Sequence, residues 1–392
     1  MLKNRPTSGR AYSRNTSCLE CWRARGGISA GLGKRASVRT LSMMHSRLRF
    51  VFRFLAGACL AVSAVGAEPV VRFVLPPPVA PEPVVEEPAP EPVVEILAPT
   101  AEPLTDAQPV TNWLEAQVEL ARRGFSSGSI DGVGGAQSAA ALKAFQEKHG
   151  LAPSGTLDRA TRGVLVMTLP PLGELTLSPG DVARLQVLKD TWVGKSEQTA
   201  LDYETALELI AERVHASPKL IQRLNPAVDW TQPWLAGAVI KVPAVGKVVI
   251  KGEAAKIHVR LAERVLQVRD AGDTLLAHFP VSIARKVEKR PVGELRVIIA
   301  IAKPDYTFDP ANFPESDEAK KLGRKLILPP GPNNPVGVAW IGLDRPGYGI
   351  HGTPKPEEVG RTESHGCFRL ANWDAETLLP LAWVGLTVVV DP

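Results

Sequence analysis

The chain has 392 residues, 44% of them apolar and 22% charged, an ordinary globular composition with room for two or three compact domains. Its formal charge of +5 is unevenly placed: residues 1–67 hold 12 of the 46 Lys/Arg and 1 of the 41 Asp/Glu, leaving 34 basic against 40 acidic side chains beyond them. The resulting balance of about −6 gives no support to nucleic-acid binding.

Residues 1–67 read as an N-terminal extension and signal peptide. Arg47, Arg49 and Arg53 precede the apolar run from Phe54 to Val62, and Val65-Gly66-Ala67 then supplies the small residues a signal peptidase accepts. The run is short and rich in small residues for a membrane span, so membrane attachment is expected only through an uncleaved signal. Met43 or Met44 is expected to be the true start, and the protein is expected to be exported, to the periplasm or cell wall. Export would remove Cys18, Cys21 and Cys59, leaving Cys367 alone: either an intermolecular pair or a working thiol. From 68 to 110 proline occupies 12 of 43 positions, which blocks helix and ladder alike and favours an extended polyproline spacer.

Residues 111–168 carry two amphipathic helical patterns, one through Trp113, Leu114, Val118 and Leu120, the other through Ala139, Leu142 and Phe145, joined by a glycine-rich turn. The ordered words Leu120-Ala121-Arg122-Arg123-Gly124-Phe125, Ile130-Asp131-Gly132, Ala141 to Gln146 and Gly150 to Asp158 resemble the three-helix peptidoglycan-binding domain, departing from it at Val133–Ser138. Residues 200–245 show a helical face at Tyr203, Ala206, Leu207 and Ile210, and a second helix opened by Ser217-Pro218 and closed by Asn225-Pro226. With Ala211-Glu212-Arg213-Val214 and Ile240-Lys241-Val242-Pro243, this order resembles a LysM module, a βααβ unit that binds N-acetylglucosamine chains.

From Lys256 alternation takes over, at Ile257/Val259/Leu261, Val265/Leu266/Val268, Val281/Ile283, Leu295/Val297/Ile299/Ile301 and Leu386/Val388/Val390, and predicts a mainly-β sandwich over 253–392. The proline-rich interruption from Lys303 to Pro335 is too long for a turn and is expected to shape a substrate cleft. The fold class expected is therefore multidomain, a small α-helical domain and a small α+β module ahead of the β domain.

Acyl transfer through a thiol needs a nucleophile, a base for its proton and donors for the developing oxyanion. Cys367 is the candidate nucleophile and His351, at the end of the predicted strand Tyr348-Gly349-Ile350, the candidate base; an imidazolium there would lower the thiol pKa. The turn Ser364-His365-Gly366-Cys367 can aim successive N–H groups at one point. Together with Asn334-Pro335-Val336-Gly337, Trp340-Ile341-Gly342 and His351-Gly352-Thr353, these residues resemble the L,D-transpeptidase (YkuD) family.

That resemblance implies His351 as base, Cys367 as nucleophile, and main-chain oxyanion donors at His365, Gly366 and Cys367, with Ser364 and His365 orienting the turn. Arg369 would bind a substrate carboxylate or pair with an acid such as Asp374, and Tyr348 is included as a substrate-binding position, although Tyr348, Tyr306 and Trp340 also suit packing. His149, His215, His258 and His278 lack acidic or cysteine partners at ligand spacing, so neither a metal nor another cofactor is expected. The implied activity is peptidoglycan L,D-transpeptidation through a cysteine acyl-enzyme, with stem peptides and glycan strands as partners. The alternatives are an L,D-carboxypeptidase, a protein-to-wall attachment enzyme and a non-catalytic wall-binding scaffold.

Overall fold

A computed structural model describes residues 98–392 apart from 235, 314 and 363–365. The N-terminal extension, the signal, most of the proline-rich linker, and Ser364 and His365 lie outside the described residues. Among the described residues no helix is long and apolar enough to cross a membrane.

The first unit contains α1 (Trp113–Arg122), α2 (Ala136–Lys148) and α3 (Arg159–Val164), closed by β1 (Gln108–Pro109) running antiparallel to β2 (Val166–Met167). Asn112 opens α1 by accepting the Glu115 N–H at 3.1 Å, and Asp158 opens α3 by accepting that of Thr161 at 2.8 Å, each satisfying a donor the helix cannot. Leu120, Phe125, Leu142, Phe145 and Leu165 fill the interior. The six-residue α3 is too short to register as a periodic pattern, which is why two helices rather than three are visible in the sequence.

The second unit pairs β3 (Leu172–Thr176) antiparallel with β4 (Val239–Pro243) and holds α6 (Ala206–Arg213) and α7 (Pro218–Leu224) between them; the short helices α4 (Pro179–Ala183) and α5 (Trp192–Ser196) lie in a long insert after β3. This strand–helix–helix–strand unit opens at Leu172 and not at 200, because the first strand pairs across the whole insert. Thr205 and Ser217 cap α6 and α7, and Pro218 takes the first helical position, where its missing N–H costs nothing.

The third unit contributes β5 (Lys256–Arg260), β6 (Val265–Arg269), β7 (Leu275–Pro280), β8 (Gly293–Ala302), β9 (Tyr306–Phe308), α8 (Asp317–Leu322), β10 (Leu326–Leu328), β11 (Ala339–Leu343), β12 (Gly349–His351), β13 (Phe368–Arg369), α9 (Asn372–Leu378) and β14 (Thr387–Asp391). Eight strands run in the order β13-β12-β11-β8-β14-β5-β6-β7. Only β12/β13 and β14/β5 are parallel pairs. The ten-residue β8 joins the two halves, pairing with β14 over Gly293–Arg296 and with β11 over Val297–Ala302, as a strand does when it passes from one layer to another. Leu295 and Val297 enter the core, but Ile299 and Ile301, expected to share that inward face, are exposed, because β8 runs on past the core cluster.

Strand β7, absent from the sequence reading, is buried along its whole length. One face packs in the β core, while Leu275 joins the interior of the helical unit. Backbone bonds from Ser126 N–H to His278 O (2.8 Å) and from His278 N–H to Gly124 O (2.9 Å) then cap its outer edge. A strand buried on both faces shows no alternation. The expected strand at Val281/Ile283 is instead a single bridge, Ser282 against Arg369.

Residues 303–335 form a structured flap in which β9 and β10 pair antiparallel, with α8 between them. The flap packs on the insert of the second unit: Trp192 stacks on Phe308 at 4.2 Å, and the Trp192 and Val193 N–H groups both donate to the Glu318 carboxylate at 3.0 Å.

Candidate active site

Strands β12 and β13 set the site. Their parallel register places His351 opposite Arg369 and Ile350 opposite Phe368, which carries Cys367 to the level of Gly349. His351 and Arg369 are partners in that register and rise from the same side of the sheet, and Cys367 lies at the bend that leads into β13.

His351 is buried, and its Nδ1 lies 2.6 Å from the Gly352 carbonyl oxygen. A carbonyl can only accept, so Nδ1 carries the proton, and a neutral ring then keeps its lone pair on Nε2. Burial, reinforced by the Arg369 charge and opposed by the bond to Gly352, pushes the His351 pKa down to about 4. The imidazole is therefore neutral at ordinary pH, the form a general base requires. On β11, Trp340 lies directly across from His351 and stacks on it at 5.7 Å with 26° between the planes. Gly349 makes room for that indole: a Cβ there would sit 2.6 Å from two of its ring carbons.

The Cys367 sulfur donates to the Gly347 carbonyl at 3.5 Å. Burial raises the thiol pKa, against the opposing pull of the Gly349 N–H and the Arg369 charge. Both directions correct the expectation of an imidazolium that activates the thiol in advance: burial disfavours the charged form of each partner, so the resting pair is thiol and neutral imidazole.

Arg369 is half-buried; burial lowers its pKa, opposed by the Glu358 carboxylate and by Cys367 when it ionises. Asp374, the acid suggested for it, is engaged elsewhere and accepts the Ser126 hydroxyl of the helical unit at 2.9 Å. Tyr348 lies beside Gly366, and Arg345 sits over its ring at 4.7 Å. Tyr306, read from sequence as packing, comes from the flap; burial and the nearby Cys367 raise its phenol pKa. Ser364 and His365 fall outside the described residues, and Gly366 is the described member of the expected oxyanion turn next to Cys367.

Asn372 at the start of α9 went unnoticed in the sequence. Its Oδ1 accepts the Thr353 N–H at 3.0 Å and lies against Gly337, whose φ of +63° favours glycine, and Gly352. Its Nδ2 donates to both Glu212 carboxyl oxygens, at 3.1 and 3.0 Å, and to the Pro332 carbonyl at 3.1 Å. Gly337, the Gly352-Thr353 pair and Glu212, from three separate stretches of sequence, thus converge on one amide that no local pattern marks.

A buried neutral imidazole and a thiol on neighbouring chain segments are the residue types that cysteine acyl transfer requires. Residues 254–390 match the model of the L,D-transpeptidase catalytic domain, YkuD, and residues 110–165 that of a putative peptidoglycan binding domain. The chain is 25% identical over 186 residues to a putative L,D-transpeptidase YkuD of Bacillus licheniformis, a match covering 47% of this chain and 93% of that relative. It is 31% identical over 117 residues to a putative L,D-transpeptidase YqjB of Bacillus subtilis, covering 29% of this chain and 57% of that one. The crystal structure of L,D-transpeptidase 3 from Mycobacterium tuberculosis with a faropenem-derived adduct is 18% identical, covering 41% of this chain and 76% of that chain, with a TM-score of 0.29. The match to the L,D-transpeptidase catalytic-domain model thus lies on the β domain, and the match to the peptidoglycan-binding model on the helical unit ahead of it.

Proposed function

We propose that this protein is a peptidoglycan L,D-transpeptidase in which Cys367 is the acylated residue and His351 the base. The observation that carries the reading is the neutral His351 imidazole, with Nδ1 committed to Gly352, on the strand that pairs with the one Cys367 leads into, in a region matching the YkuD model. Nε2 takes the thiol proton as the sulfur attacks the carbonyl between the L-centre of the third stem residue and the terminal D-alanine. Main-chain N–H groups of the turn ending at Cys367 hold the oxyanion, and the imidazolium returns its proton to the departing D-alanine amine. An acceptor amine then attacks the thioester, gives up its proton to His351, and releases the thiol.

Arg369 suits a carboxylate of the stem, Tyr348 lies beside Gly366, and Tyr306 is close enough to Cys367 to feel its charge. The peptidoglycan-binding unit supports wall peptides and glycan as partners, and the strand–helix–helix–strand unit is consistent with a LysM module. The basic and apolar pattern of residues 47–67 and the spacer at 68–110 support export to the periplasm or cell wall. Purified protein incubated with a tetrapeptide stem tests the reading: it predicts released D-alanine and a carbapenem adduct on Cys367, and the absence of both overturns it.

A further inference from the structure

We propose that Glu212, on α6 of the second unit, is a positioning residue for the His351 base and acts through Asn372; the proposal rests on the reading of His351 and Cys367 as the acyl-transfer pair. Asn372 and Glu212 are both buried, and they meet across 160 residues of sequence. The Asn372 amide has one orientation available. Its Oδ1 must face the Thr353 N–H, which can only donate, so its NH2 must face acceptors, and it finds the Glu212 carboxyl and the Pro332 carbonyl. With Oδ1 seated between Gly337 and Gly352, the amide fixes the backbone at Gly352 and Thr353.

That backbone carries the Gly352 carbonyl, which selects the His351 tautomer by accepting from Nδ1 at 2.6 Å. The chain of contacts runs Glu212, Asn372, Gly352/Thr353, His351, and each link is a hydrogen bond or a close backbone approach. Removing the Glu212 acceptors leaves one amide proton without its partner in a dry interior and loosens the segment that aims the imidazole. Buried among Glu208, Glu376, Tyr203 and Arg184, the carboxyl is pushed up to about 8, chiefly by desolvation. Below that pH it is a neutral acid whose carbonyl oxygen accepts from the Asn372 amide as a glutamine carbonyl would.

The full chain is compared with Glu212→Met, which keeps the volume and removes the acceptors, and with Glu212→Gln, which restores one. Two readouts are used: D-alanine release from a tetrapeptide stem, and the rate of Cys367 alkylation by iodoacetamide at neutral pH, which needs no substrate. Glu212→Met is expected to lower kcat about tenfold or more with KM within about twofold, the scale of a base misplaced by a fraction of an ångström. It is expected to slow alkylation in parallel, as His351→Gln does, without losing the folded transition in thermal melts. Glu212→Gln is expected to recover both rates to within about threefold of the parent. A Glu212→Met chain with parental kcat and alkylation, or a Glu212→Gln chain as slow as Glu212→Met, overturns the proposal. A parent chain that releases no D-alanine contradicts the proposed activity instead, and alkylation still decides the positioning role.

Discussion

At the scale of the residue, the site depends on burial keeping His351 neutral while a carbonyl chooses its tautomer. Neither effect is visible in the words His351-Gly352-Thr353 and Ser364-His365-Gly366-Cys367. What those words offer is a candidate base and a candidate thiol; the pairing of β12 with β13 then places them on adjacent segments. Trp340 and Gly349 form a linked pair, since the indole that stacks on His351 occupies the space a Cβ at 349 would need. Gly349→Ala is therefore expected to force the indole aside at a cost of about 1–3 kcal/mol and to lower kcat/KM for D-alanine release. Steady-state kinetics beside a melting curve check this, and a stable variant with parental kcat/KM would show that the stack does not hold the base.

At the scale of the element, the flap over 303–335 and the insert of the second unit stabilise each other. Phe308, Leu326 and Leu328 are buried with Leu201, and Trp192 stacks on Phe308. Trp192→Ala removes that stack and is expected to destabilise the flap by up to about 3 kcal/mol, less than for a fully buried tryptophan because Trp192 is only half-buried. Hydrogen exchange should then rise over β9 and β10 and stay unchanged in β5 and β6; uniform change across the chain would contradict a local role.

Strands β5 and β14 were legible because one face of each is apolar, whereas β7 is covered on both faces and β3 finds its partner beyond a long insert. Glu212 illustrates the same limit at the site. It sits in Ala211-Glu212-Arg213-Val214, which reads as an ordinary amphipathic turn, and its partner Asn372 is reached only through the tertiary fold.

At the scale of the molecule, α9 is where the three units meet. Its first residue Asn372 receives Glu212, Trp373 stacks on His215 at 5.4 Å, and Asp374 accepts from Ser126 of the helical unit. The junction is largely buried, and its titratable groups respond accordingly. Burial pushes Asp374 and Glu212 up to about 8, and pushes His215 and His278 down to about 3.

The signs are opposite. Each acid binds more protons folded than unfolded, so its contribution is present below the ordinary carboxyl range and is lost as pH rises through about 8. Each histidine contributes above its ordinary value of 6.5 and loses that contribution as pH falls toward about 3. The histidines, His351 among them, are almost wholly neutral in both states above about pH 7.5, so Tm is expected to fall between about pH 7.5 and 8.5, and Asp374→Asn is expected to flatten that fall. Scanning calorimetry across this range checks it; a Tm that stays constant or rises would contradict the protonated junction.

The central claim, that Cys367 carries the acyl group with His351 as its base, is tested most directly by mass spectrometry of the protein during turnover of a tetrapeptide stem, with peptide mapping of the adduct. A stem acyl group is expected on the peptide containing Cys367, with D-alanine released alongside it and neither product with Cys367→Ala. D-alanine release that survives Cys367→Ala, or an acyl group mapped to any other residue, would contradict it.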